Sequence, residues 1–201
     1  PVLNWDKITR EQMTGPGIAK NKWTAREGHT ATRVGSYLYV FGGQNDEGII
    51  ASKEILRMKV LPKREILKMD GKTVYEWTVL DALKGATPLA RYGHSAGLLS
   101  GRYYTIFGGY VGKKSAASNE VVTIDLGATD DVGNNCADAA TAPGQECEWV
   151  KPMPQGTEPL PRQFAASAVI GKKGSRGNNK MVIFGGCGIP SKICYNDAYI
   201  L

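Results

Sequence analysis

Long apolar runs are missing from this sequence: nowhere do the eighteen or so uninterrupted apolar residues of a membrane-spanning helix occur. Helical periodicity is missing as well, which excludes an architecture built on amphipathic helices. Histidine is scarce. There are two, His29 and His94, and neither has a Cys or carboxylate at ligand-like spacing, so no metal site is expected. The phosphate-cradling pattern G-x-x-x-x-G-K-[ST] does not occur despite 25 glycines, and no cofactor is expected. No paired carboxylates suggest acid–base work, and no residue is nominated as catalytic. The chain opens on Pro1 rather than Met, so the lack of a leader excludes nothing. At 201 residues, 42% apolar and 22% charged, the chain is long and apolar enough for a real core. The net charge of +6 is not gathered in one block, so a solvated basic surface explains it as well as an acidic partner does.

What the chain has is a pattern written three times. Arg26-Glu27-Gly28-His29 leads to Phe41-Gly42-Gly43, Arg91-Tyr92-Gly93-His94 to Phe107-Gly108-Gly109, and Arg162-Gln163-Phe164-Ala165 to Phe184-Gly185-Gly186. Thirteen positions after each Phe stands a carboxylate: Glu54, Glu120 and Asp197. Between these landmarks lie short runs rich in β-branched and aromatic residues, such as Tyr37-Leu38-Tyr39-Val40-Phe41, bounded by Gly, Ser and Asn. Such runs predict antiparallel hairpins. A third strand follows each doublet, and a fourth carries Trp77 or Trp149. Trp5 looks like the same outer strand standing alone at the N-terminus. Each copy is then one unit that buries its apolar face only against its neighbours, and four-stranded antiparallel units in radial array make a β-propeller.

These residues are those of the kelch repeat, and the chain resembles kelch-repeat propellers over nearly its whole length. The implied fold is all-β: a partial propeller of about three four-stranded antiparallel blades, with a ring this chain alone does not close. Within a single segment 1–201, residues 1–8 are expected to form an outer strand of a preceding or last blade, 26–80 blade 1, 91–152 blade 2, and 162–201 an incomplete blade 3. The third copy departs from the pattern at Phe164 and Ala165, so its first strand is expected to sit differently. Propellers close with about four to eight blades. Either the chain is a piece of a longer protein, or chains assemble so that the Trp5 strand completes the open blade of another molecule.

By parity, the turns that open each inner strand and the loops after each glycine doublet share one face. Arg26, Arg91 and Arg162 therefore converge on the mouth of the central channel. The resemblance implies that this arginine can bind a partner peptide, often an acidic one, and guanidinium groups suit bidentate carboxylate capture. The competing reading is that each Arg pairs within the scaffold. Gln44, Asn45, Tyr110, Lys113, Lys114 and Lys192 are further contact candidates on the same face. His29 and His94 recur at one repeat position and are expected to be structural, as are Glu54, Glu120 and Asp197. Trp77 and Trp149 are expected to pack between blades.

Cys136 and Cys147 bracket one inserted loop, and Cys187 and Cys194 another, which suits two local disulfides and an oxidising compartment. The absence of any N-x-[ST] acceptor suits a cytosolic chain with free thiols instead, but the paired loop cysteines favour disulfides and a secreted or lumenal setting. Segments 59–72 and 171–180 are basic and 127–147 is acidic. Without interleaved aromatics, a nucleic-acid role is disfavoured against a protein neighbour. The function expected is a non-catalytic protein–protein interaction scaffold within a larger assembly or homo-oligomer. The alternative is an extracellular enzyme or carbohydrate-binding module of the galactose oxidase kind, which needs histidine and tyrosine copper ligands.

Overall fold

A computed structural model describes residues 5, 7–15, 24–49, 55–59, 68–69, 72–80, 83–112, 116–126, 147–171 and 179–201. Blade 1 consists of Thr30–Val34, Tyr37–Phe41, Ile55–Lys59 and Tyr75–Leu80, paired antiparallel in that order. Blade 2 repeats it with Ser95–Leu99, Tyr103–Phe107, Val121–Asp125 and Glu148–Val150. Blade 3 has three strands, Ala166–Ile170, Lys180–Phe184 and Ala198–Ile200. The described residues contain no α-helix; they include a 3-10 turn, Arg10–Gln12.

The register is the same in all three. The fourth residue after each Arg pairs with the motif Phe, as Thr30 with Phe41, Ser95 with Phe107 and Ala166 with Phe184. Each Phe pairs in turn with the residue after the carboxylate position, as Phe41 with Ile55, Phe107 with Val121 and Phe184 with Ala198. The departure in the third copy therefore does not move its inner strand, contrary to expectation. Phe164 simply adopts the left-handed backbone, φ 54°, that Gly28 and Gly93 hold at 62° and 63°. A bulky residue there is strained by roughly 1–2 kcal/mol.

Two short strands extend the blades beyond the four-strand plan expected from sequence. Met13–Thr14 adds to the outer strand of blade 1 in parallel, and Lys84–Gly85 adds to that of blade 2 in the same way. Each lies just upstream of its blade, so the connection brackets the blade's outer edge before turning in to the axis. Trp5 is wholly exposed and residues 5 and 7–9 form no strand, so the outer strand expected over 1–8 does not stand on a blade within the described residues.

The core lies between sheets. Tyr39, Phe41 and Ile55 of blade 1 meet Tyr104, Ile106, Val122, Ile124 and Trp149 of blade 2 in one buried cluster. The indole of Trp149 sits 5.6 Å from the Phe41 ring. Trp77 belongs to the opposite side of blade 1, with Val40, Leu56 and Met58. Phe107 of blade 2 packs on Met181 and Ile183 of blade 3.

Candidate partner-binding face

Each motif arginine is held by its own blade. Arg91 donates through Nε to the Leu89 carbonyl at 3.0 Å, through Nη1 to the Gly108 carbonyl at 2.8 Å, and through Nη2 to Glu120 Oε2 at 2.5 Å. Arg162 repeats this on the Leu160 and Gly185 carbonyls, at 3.0 and 2.8 Å, and takes the Asp197 carboxylate with both terminal nitrogens. Arg26 makes the first two contacts, to Thr24 at 3.4 Å and Gly42 at 3.2 Å. Its repeat carboxylate, Glu54, is outside the described residues. The arginine main chain faces the other way: the carbonyls of Arg91 and Arg162 accept the Gly43 and Gly109 N–H of the preceding blade, at 3.0 and 2.9 Å. A Cβ at Gly42 or Gly108 would strike those same carbonyls, so the first glycine of the doublet is what lets blades approach.

This geometry corrects the expectation that all three guanidinium groups face a partner. Arg91 and Arg162 are buried and their donors are committed inside the blade, so they staple it; Arg26 is half-buried. Arg162 holds the Asp197 carboxyl below the usual carboxylate range by hydrogen bonding. Partial burial pushes the Glu120 carboxyl up, but the hydrogen bonds from Lys151 and Arg91 outweigh it and leave it lowered.

Above the staples, each blade brings two residues together by the same rule. The residue after the motif Arg pairs with the residue after the glycine doublet: Glu27 with Gln44, Tyr92 with Tyr110, Gln163 with Cys187. The three pairs differ in chemistry. Gln44 Nε2 donates to Glu27 Oε1 at 2.6 Å, and the rings of Tyr92 and Tyr110 lie 5.1 Å apart. Cys187 is closed by a disulfide to Cys194. Phe164 lies 5.9 Å from Tyr92, and its ring covers Gly93, where a Cβ would come within 3.2 Å of it. Tyr92, Tyr110 and Phe164 thus make an aromatic ledge, with Phe164 60% exposed.

Of the residues nominated from sequence, Gln44, Asn45 and Tyr110 stand on this face, and Lys192 is exposed at the tip of the disulfide-closed loop. Asn45 is spent locally, accepting the Glu47 N–H at 3.0 Å. Lys113 and Lys114 are outside the described residues. Glu27, Tyr92, Gln163 and Phe164 were not nominated, although each is fixed by a constant offset from a motif Arg.

Of the expected disulfides, Cys187–Cys194 is present, and Cys147 is also disulfide-bonded while Cys136 is outside the described residues. His94 is a wedge between blades. Its Nε2 lies 2.8 Å from Thr30 Oγ1 of blade 1, and its ring meets Phe41 edge-on at 5.2 Å. Burial first, then the nearby Arg91 charge, lowers its pKa to about 3, so the ring is neutral at ordinary pH. An imidazole enclosed in this way does not present itself to copper. His29 is exposed, and its pKa is lowered by desolvation and then by Arg26. Among the described residues, no three His, Cys, Asp or Glu side chains gather to hold a metal ion, and no helix there is long and apolar enough to cross a membrane.

The sequence model of the KLHDC2/KLHL20/DRC7 Kelch-repeats domain matches residues 28–201. The chain belongs to the kelch-repeat family. It is 28% identical to Adagio protein 3 of Arabidopsis thaliana over 206 aligned positions, covering 99% of this chain and 27% of that protein. To Dynein regulatory complex subunit 7 of Chlamydomonas reinhardtii it is 28% identical, over 86% of this chain and 12% of the relative. To Host cell factor 2 of Homo sapiens it is 29% identical, over 83% and 18%. This chain therefore spans about a quarter or less of these relatives. A solved structure of YjhT shares the fold, with a TM-score of 0.53, 14% identity, and coverage of 89% of this chain and 43% of that one. In kelch terms, the described residues form three blades, two of them with four antiparallel strands, and the stapled arginines belong to the repeat itself.

Proposed function

We propose that this kelch segment is a non-catalytic scaffold that binds a protein partner on the face carrying the glycine doublets. The observation that carries the reading is the contrast between a repeated base and a varied tip. The Arg staples and Phe-Gly-Gly turns repeat, while the pair mounted on them is polar in blade 1, aromatic in blade 2 and disulfide-capped in blade 3. A rigid frame displaying different chemistry at equivalent positions suits recognition. Catalysis would instead gather unlike groups at one point. Contact falls to Gln44, Tyr110 and Lys192, joined by Tyr92 and Phe164, and in sequence by Lys113 and Lys114. With Arg91 and Arg162 neutralised inside the blades, the aromatic ledge supplies the anchor, and Arg26 and the lysines supply any preference for an acidic partner.

The test is quantitative affinity enrichment with Tyr92→Ser/Phe164→Ser, compared with wild type and with an opposite-face control, Lys180→Ser. Partners held by wild type and by the control should fall at least tenfold for the ledge variant. Retention of the same partners at equal abundance by all three proteins would reject the face.

A further inference from the structure

Charge is unevenly spent on the face that carries the glycine doublets. Two carboxylates near it, Glu120 and Asp197, are taken by Arg91 and Arg162. Glu27 is exposed, and among the described residues its carboxylate meets the neutral amide of Gln44 and forms no ion pair. Gln44 engages Oε1 at 2.6 Å, which orients the group and leaves Oε2 to accept.

Beside this carboxylate stands the aromatic ledge. The Tyr92 ring leans over Gly28, where a Cβ would meet it at 3.2 Å. Burial, then Tyr110 and the Glu27 charge, raise the Tyr92 hydroxyl above the usual tyrosine range, so the carboxylate lies near enough to be felt there. The Phe164 ring is tilted 56° to Tyr92, and Tyr110 is tilted 45° to it. Rings inclined in this way leave part of their π faces uncovered. Phe164 holds a left-handed backbone while 60% of it stays exposed, and strain combined with exposure points to a use outside the fold.

Blade 3 shows what groups of this kind hold. The Arg162 guanidinium lies 4.4 Å from the Tyr195 ring and 5.3 Å from the Tyr199 ring, while both its terminal nitrogens donate to Asp197. Arg57 likewise sits 4.1 Å from the Tyr37 ring. A planar guanidinium satisfies both kinds of neighbour at once, because its N–H fork lies in the plane and its faces stack. Glu27, Tyr92 and Phe164 set the same two kinds of neighbour side by side on the surface.

We infer, building on the partner face proposed above, that this corner seats an arginine side chain of the partner protein. Its guanidinium donates to Glu27 and lies against Tyr92 and Phe164. The anchor at the blade 1 end is then a cation, while Lys192, on blade 3, leaves the other end of the ledge to acidic residues of the same partner. A lysine ammonium would reach the carboxylate but lose the flat stacking.

A random dodecapeptide phage library panned on the 201-residue chain supplies the probe. Selected peptides are titrated by fluorescence anisotropy against wild type, Glu27→Gln and Tyr92→Ser/Phe164→Ser. Glu27→Gln keeps an acceptor for Gln44 and removes the charge, and circular dichroism confirms that the variants are folded. The expected peptides share an arginine whose replacement weakens binding, about tenfold or more by Ala and about threefold by Lys. Glu27→Gln should weaken the arginine peptide about fivefold or more and leave its Ala version unchanged, since the two losses are one interaction. Ledge-dependent peptides that lack arginine, or that carry one indifferent to Glu27→Gln, overturn the arginine seat and leave the partner face standing. A library that yields no ledge-dependent peptide overturns the seat as well, while the affinity enrichment reads the face separately.

Discussion

The seam between blades 1 and 2 and the seam between blades 2 and 3 use the same repeat positions but differ in burial. On the first, Tyr37 is 7% exposed and Phe41 and Ile55 are fully enclosed. On the second, Phe107 is equally buried, but Tyr103, the counterpart of Tyr37, is 37% exposed and Val150 is 42% exposed. The inner halves therefore match and the outer halves do not. The motif residues seal the inner half through backbone bonds such as Gly43 to Arg91 and Gly109 to Arg162. The outer half is sealed only where a tryptophan strand from the next blade covers it. A kelch seam thus has two independent parts, one fixed by tight turns and one by an aromatic in the fourth strand.

Removing that aromatic should make the first seam resemble the second. Trp149→Ala deletes the largest fully buried side chain and opens a cavity over Phe41, at an expected cost of about 3–5 kcal/mol. Urea unfolding should show a correspondingly lower midpoint, and Tyr37 should become accessible to solvent quenchers. A loss below about 1 kcal/mol would mean that the outer half contributes little and the comparison fails.

Next in size is a paired substitution at one repeat position. Tyr37→Ala removes a buried ring that also lies 4.1 Å from the Arg57 guanidinium, and should cost about 3 kcal/mol. Tyr103→Ala removes a ring on an open groove and should cost less than about 1 kcal/mol. Equal costs, measured in the same denaturant series, would show that burial in the two seams is alike after all.

Much of this was legible in the sequence. The constant Phe-to-carboxylate interval is matched by a constant strand register in all three blades, because a period-two strand cannot slip by one residue without turning its face. Trp149 was legible as an inter-blade residue for the same reason. Arginine burial was not: a guanidinium at a turn suits a partner's carboxylate as well as Glu120, and only coordinates show which. The parallel additions at Met13–Thr14 and Lys84–Gly85 were missed because two-residue strands have no periodicity. Yet Gly85-Ala86-Thr87-Pro88-Leu89-Ala90-Arg91 and Gly156-Thr157-Glu158-Pro159-Leu160-Pro161-Arg162 share Gly, Pro, Leu and Arg at fixed places, a usable signal. Phe164 could be seen to break the pattern, but its tolerance of a left-handed backbone depends on its ring packing over Gly93, a contact between different blades.

The seams also differ in their response to acid. The first carries His94; the second has Ala165 at the matching position, with only its carbonyl engaged, by Ser95 Oγ at 3.1 Å. Folding lowers the His94 pKa from 6.5 to about 3, so the unfolded chain binds a proton that the folded chain refuses. The stability tied to neutral His94 is whole above pH 6.5 and drains away as pH falls toward 3, at up to about 1.4 kcal/mol per pH unit. Glu120 and Asp197 are held low by their partners and add their own losses further down, while His29 adds in the same direction. Between pH 6.5 and 5, then, the slope belongs mainly to His94. His94→Gln keeps a hydrogen-bonding amide for Thr30 Oγ1 without a titrating group, so it should flatten that part of the stability curve. An unchanged slope in the variant would place the acid sensitivity outside the first seam.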